Sequence, residues 1–397
     1  MPAPPAFGNA ARAHFALHEG GTFLNHGSYG ASPHVVRAEQ QRLRDEMERH
    51  PDAFFDRIKP TGDMSGDGPS APRRVASDLA RLLGTEGERI ALVENATAAV
   101  LSVLGSIELA AGDEILGTDH QYNAVRLGIE ARCRQTGATS RTVRIPLPTN
   151  PDDIVQRVLD AVTPRTRLVV LDHITSPSAL VLPLEKILPE LRRRGIPVLI
   201  DGAHAIGQIP LDLPALKADW YISNAHKWLY APRGSALLWA GEAVAAQTRP
   251  VIISHYIGRG FPQSFDYVGT RDYTAWLATS AAIDFFLSLG PEALWKYEAH
   301  LVDVASEKLL GAGCQPVGSR SLCAAMRAFV LPQRRKATAE DAESVMQSLW
   351  NQERVQIRCA ILDDKLLLRV SAQVYVAEGD IVHLADALAR HGWPDRS

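Results

Sequence analysis

Short, unbroken apolar runs alternate with longer segments of helical spacing through the middle of the chain. The runs "RIALV" (89–93), "DEILGT" (113–118), "TRLVVLDHI" (166–174), "IPVLIDGAH" (196–204), "ADWYISN" (218–224) and "SALLWA" (235–240) read as buried strands. Between them, "ATAAVLSVLGSIEL", "YNAVRLGIEARCRQTG", "NPDDIVQRVLDAV" and "LEKILPELRRRG" place apolar residues at helical intervals. Strand and helix taking turns in this way predict an α/β large domain: a mainly parallel sheet flanked by helices on both faces. Such sheets bind ligands beyond the carboxyl ends of their strands. The polar residues fall there: Asn95 and Thr97, Asp119 to Asn123, His173 to Ser176, Asp201 to His204, and Asn224 to Lys227.

Near "SFDYVGTRDYTAW" the pattern changes. A helix is expected at about 273–311, then strands in "AFVLP" and "KLLLRVSA", then closing helices at about 338–352 and 377–391. This is the pattern of a smaller α+β C-terminal domain. The expected division is an N-terminal arm at 1–20, a large domain at 21–265 and a small domain at 266–397.

Composition narrows the classes. The 397 residues are 46% hydrophobic and 22% charged, as in soluble globular chains. A net charge of -3 creates no field that would draw nucleic acid or an anionic membrane. Four cysteines lie far apart with no C-x-x-C pair, which argues against a zinc ribbon or a disulfide framework and fits a reducing compartment. "MPAPPAFGNAARAHF" lacks the basic start and apolar run of a signal peptide, and no apolar run reaches membrane-span length. The expectation is a cytoplasmic protein with a small-molecule substrate and no metal.

Three features carry chemistry. Asp201 ends an apolar strand, and a buried carboxylate needs a partner. It either caps a helix that starts in "DGAHAIG" or acts as counter-ion to a protonated ring nitrogen. Lys227, in "ISNAHKWLYAPRG", sits among aromatic and small residues. It is either a surface lysine with its stem on Trp228 or an amine whose pKa is depressed for attack on a carbonyl. Ser223, Asn224 and His226 beside it can donate hydrogen bonds to a phosphate. "ENATAAV" (94–100) follows a strand and opens a helix, so Ala96 and Thr97 present N–H groups where phosphates bind, unless Asn95 or Thr97 merely caps the helix. A strand-end acid, a lysine and a helix-end phosphate site in this order are what pyridoxal phosphate requires.

"VLIDGAH" followed by "SNAHKW" resembles the class V aminotransferases, pyridoxal-phosphate enzymes of the aspartate-aminotransferase fold type. "FLNHGSYGASP", "NATAAV", "HITSPSALVLP" and "FDYVGTRDY" look most like its isopenicillin N epimerase-like branch. The resemblance implies that Lys227 is the Schiff-base lysine, that Asp201 pairs with the pyridine nitrogen, and that His204 bonds the ring hydroxyl. It places Tyr122 on the pyridine face, and Ala96, Thr97, Asn224 and His226 at the phosphate. It has Thr270 reach the phosphate of a neighbouring subunit, hence a homodimer. Arg369 would grip the substrate carboxylate, a task suited to a planar two-pronged cation. Asn25 and His26 would also lie at the substrate. Ser176, at the position that contacts the cofactor ring, stands where many relatives carry Asn, and Asn224 replaces a common Ser.

The same residues serve epimerisation, elimination and transamination, so the reaction must be argued from their surroundings. An epimerase is the leading expectation, with a C–S lyase, an aminotransferase and a catalytically silent binding protein as alternatives. A desulfurase does not fit, because Cys359 lies within the strand-like "VQIRCAIL" rather than on a mobile loop. A second acid–base group for epimerisation could be His26 or Tyr29, although His26 also reads as a hydrogen-bonded loop residue. "RHPDAFFDR" (49–57) is a candidate lid over the pocket mouth, with Phe54 and Phe55 as lid residues and Arg57 as an anion contact, or else a turn before a helix with a buried aromatic pair.

Overall fold

All six expected strands of the large sheet form, because their residues are apolar on both faces. Val169 and Leu171 pack into one hydrophobic cluster, whereas Leu168 and Val170 pack into the other, on the opposite side of the sheet. The computed structural model describes residues 6–60 and 69–391. From edge to edge the seven-stranded sheet runs Ile90–Val93, Ala236–Ala240, Trp220–Ser223, Val198–Asp201, Thr166–Asp172, Glu114–Thr118 and Thr139–Val143. Ala236–Ala240 is antiparallel to both of its neighbours, and every other pairing is parallel.

Thr139–Val143 has no counterpart among the expected strands. It is an edge strand, and only Val143 of its five residues is buried, so it carries no apolar run to read.

The four expected helices of this region form as Ala96–Ser106, Asn123–Thr136, Pro151–Asp160 and Leu184–Arg193. The single long helix expected at about 273–311 is instead three: Thr274–Leu277, Thr279–Ser288 and Pro291–Gly311. Gly290, at φ 70, and Pro291 end one helix and start the next. The first two pack against His34–Arg49 and Ala71–Leu82, and the third packs against Glu378–His391.

A second, antiparallel sheet runs Arg358–Leu362, Lys365–Ser371, Met326–Val330 and Gln315–Pro316. The N-terminal segment ties the two sheets together. Thr22–Phe23 pairs in parallel with Val355–Gln356, and Phe15 sits against Tyr230, Phe285 and Tyr375.

Candidate active site

Lys227 follows the strand Trp220–Ser223 in a tight turn, with its N–H bonded to the Asn224 carbonyl at 3.3 Å. Its ammonium is mostly buried, and burial, aided by the Arg369 charge, pushes its pKa down to about 8. Nζ lies 3.1 Å from His204 Nε2. The turn is clamped from outside by residues 26–30. His26 Nε2–H donates to the Lys227 carbonyl at 2.9 Å, and the Tyr375 hydroxyl donates to His26 Nδ1 at 2.7 Å. Gly30, at φ 68, lies so close that a Cβ there would be 2.0 Å from the His226 carbonyl oxygen.

His26 is therefore not a proton exchanger. Both ring nitrogens are occupied, the residue is fully buried, and burial drives its pKa to about 3. Tyr29, the other candidate, is 68% exposed.

Asp201 is buried at the carboxyl end of its strand, and Oδ1 accepts the Ala203 N–H at 2.9 Å. No helix starts there, so the capped feature is a turn. Sequence reasoning passed over its neighbour. Asp172 ends the adjacent strand, is the register partner of Asp201, and is equally buried, with Oδ2 unbonded. Burial raises the pKa of both carboxyls, and the Asp201 charge raises that of Asp172 further. Among the described residues neither makes an ion pair. The signal was present in the parallel endings "VVLD" and "VLID".

The helix Ala96–Ser106 meets the segment that carries Lys227 at its N-terminus, through Asn224. The Ala96 N–H is already taken by Asn224 Oδ1 at 2.9 Å, and Ala98 N–H by Asn95 Oδ1 at 2.9 Å. The expectation that Ala96 offers a free donor is thus corrected, since Asn224 stands against the helix end and caps it. Thr97 keeps its N–H and hydroxyl, and Asn224 keeps its amide NH2. His226 Nδ1–H donates to the Ser235 carbonyl at 2.9 Å, and Nε2 has no hydrogen-bond partner among the described residues. Burial and the Lys227 charge lower its pKa to about 4. Ser223 is not a phosphate donor: it is buried and its hydroxyl donates to the Gly202 carbonyl at 2.5 Å.

Arg369 comes from the second sheet. It is 3% exposed, and its pKa falls to about 10 through burial and then the charge of Arg358. Nη1 donates to the Ser176 carbonyl at 2.6 Å, and Nη2 donates to Ser28 Oγ at 3.1 Å and Asn25 Oδ1 at 3.5 Å. Asn25 and Ser176 thus orient the guanidinium. Arg358 lies directly across the strand pair from Arg369, so both side chains leave the same face. It is exposed and makes no hydrogen bond or ion pair among the described residues.

Two expected site residues are solvent-exposed. Tyr122 is 49% exposed at the N-terminus of helix Asn123–Thr136. Thr270 is exposed, and among the described residues its hydroxyl meets Tyr267, at 3.3 Å. The lid expectation fails. Residues 51–56 form a helix, Phe54 is buried in the core with the Arg57 guanidinium over its ring, and Arg57 pairs with Glu46 at 2.6 Å.

The donor set fits pyridoxal phosphate. A protonated heterocycle would give the buried Asp201 the cation it lacks, and Lys227 offers an amine close to its neutral form. The sequence matches the class V aminotransferase family over residues 63–345. It is 34% identical over 385 residues to isopenicillin N epimerase of Streptomyces clavuligerus, covering 92% of this chain and 93% of that protein. It is 29% identical over 402 residues to a probable chloroplastic L-cysteine desulfhydrase of Arabidopsis thaliana, covering 92% of this chain and 82% of that one. In fold it is similar to a mutant of C-DES solved with glycine covalently linked to its PLP cofactor, with a TM-score of 0.82 and 22% identity over 95% of this chain and 98% of that one. The chain is a member of the class V aminotransferase family, an enzyme whose cofactor is pyridoxal phosphate.

Proposed function

We propose that the enzyme removes and returns the proton on the α-carbon of an amino-acid substrate, and so acts as an epimerase. The observation that carries this is the Lys227 amine, depressed to about 8 and held in one place by His204 and the clamp of residues 26–30. An amine titrating so close to neutrality can both take and give a proton. When bound, pyridoxal phosphate supplies an electron sink conjugated to the substrate's α-carbon.

The chain's own residues do the rest. Lys227 would hold the cofactor through its amine, and the same amine, when free, would carry the substrate's α-proton. Asp201 would keep the pyridine nitrogen charged, with Asp172 beside it. Thr97, the Asn224 amide and His226 would hold the phosphate. Tyr122 would cover the ring. Arg369, braced by Ser176, Ser28 and Asn25, grips the substrate carboxylate. Arg358 adds a second cation. Like charges directly opposite across a strand pair are destabilising, and this pair makes sense if substrate brings a second anionic group. The similarity to isopenicillin N epimerase over 92% of the chain supports the epimerase reading.

One observation favours a second reading. With His26 fully engaged and Cys359 buried, its thiol pushed up to about 12, Lys227 is the one clear proton carrier found in the site. One base suffices for elimination, as in a C–S lyase, whereas epimerisation then requires that base to serve both faces. A panel of amino acids in deuterated water separates the two. Deuterium at the α-carbon with loss of optical activity is the expected result, and it should be fastest for substrates carrying a second carboxylate. Release of pyruvate and ammonia without racemisation would replace the epimerase by the lyase. Equal rates for substrates with and without a second anion would remove the role given to Arg358.

Val268, two residues before the exposed Thr270, lines a cavity together with the exposed Val251 and Ile252, which supports a homodimer in which Thr270 reaches the partner's phosphate. Sedimentation at twice the chain mass is expected, and a monomer that still binds cofactor would sink this arrangement.

A further inference from the structure

His204 is held at both ring nitrogens. Nε2 lies 3.1 Å from Lys227 Nζ, and the Trp228 indole N–H points at Nδ1 from 3.4 Å. An indole nitrogen can only donate. The imidazole nitrogen facing it must therefore present a lone pair. In the neutral ring the single hydrogen then sits on Nε2, aimed at the lysine. Burial, followed by the charges of Lys227 and Arg369, holds the His204 pKa well below the usual range, so the neutral ring is the form present.

We propose that the Trp228 indole is a positioning residue that fixes the tautomer of His204, making it a hydrogen-bond donor toward the Lys227 amine and toward any cofactor acceptor that meets it there. The other tautomer would set an imidazole N–H head-on against the indole N–H inside a dry pocket. It would also turn Nε2 into an acceptor, which favours the ammonium form of Lys227. The observed arrangement favours the neutral amine, the form that attacks a carbonyl.

Trp228 has little freedom to do otherwise. It is 1% exposed, its ring lies against His26 with centroids 5.1 Å apart, and its carbonyl is packed so tightly on Gly207 that a Cβ there would lie 2.3 Å away. It also follows Lys227 directly in sequence, so one turn of chain delivers both the amine and the group that sets the amine's neighbour.

The value of the device rests on Lys227 being the cofactor lysine, but its existence does not. Nitrogen-15 NMR of the cofactor-free protein with labelled histidine, assigned by the signals lost in His204→Gln, reads the tautomer directly. The expected result is a protonated Nε2 and a bare Nδ1 on His204 above about pH 8, where the Lys227 amine is neutral and can accept. A protonated Nδ1, or an even mixture, would overturn the proposal. Trp228→Phe removes the N–H and keeps an aromatic ring. It should show a mixed His204 tautomer, and it should shift upward by roughly one unit the pH midpoint at which the cofactor-free protein condenses with pyridoxal phosphate. An unchanged tautomer and midpoint in that variant would also overturn it. Failure of the functional reading looks different: no visible band on adding pyridoxal phosphate, whatever the tautomer.

Discussion

Burial, and after it the Arg369 charge, lowers the Lys227 pKa to about 8 against the opposing pull of Asp201 and Asp172. The sign follows directly. Below that value the amine is protonated and cannot attack; above it the amine is free. The rate at which the cofactor-free enzyme takes up pyridoxal phosphate should therefore rise with pH through about 8, as one proton, and level off above. A stopped-flow pH profile that is flat from neutrality upward, or that keeps rising toward the ordinary lysine value, would contradict this. Much at this scale was legible in sequence, because Asp201, Lys227 and Arg369 each end or interrupt an apolar run. Three things were not. Asp172 matters through its register with Asp201, Arg358 through its register with Arg369, and Trp228 through a ring that reaches His204 from a position next to the lysine. Register and ring contacts arise only when separate strands and turns assemble.

Elements show the same division. Strands buried on both faces, such as Thr166–Asp172 and Val198–Asp201, announce themselves as apolar runs. The edge strand Thr139–Val143 does not, since its residues face water and its pairing is imposed by the neighbouring strand Glu114–Thr118. The clamp at residues 26–30 was visible only as the motif "FLNHGSYGASP", and its function appears with the contact to the Lys227 turn. Gly30 is the critical point of that contact. Its φ of 68 strains any residue with a Cβ by about 1 kcal/mol, and that Cβ would meet the His226 carbonyl at 2.0 Å. Gly30→Ala should lower the thermal midpoint and weaken cofactor retention together. A variant with native midpoint and native retention on dialysis would show that the clamp does not hold the lysine turn.

At the scale of the molecule, the site is a junction. The large sheet delivers Asp201, and the turn after its neighbouring strand delivers Lys227; the small sheet delivers Arg369 and Arg358; and residues 6–30 fill the seam, bonding to both through His26, Asn25 and Ser28. The order of strands predicted where ligands bind, because parallel sheets open at their carboxyl ends. It did not predict which segment closes the pocket: within residues 49–57, Phe54 went into the core and Arg57 paired with Glu46. All of this converges on one lysine. Reduction of the yellow enzyme with borohydride, followed by digestion and mass spectrometry, should find the pyridoxyl group on Lys227 alone, and Lys227→Ala should carry none. A label on another lysine, or a Lys227→Ala protein that keeps the reducible visible band, would contradict the account at its centre.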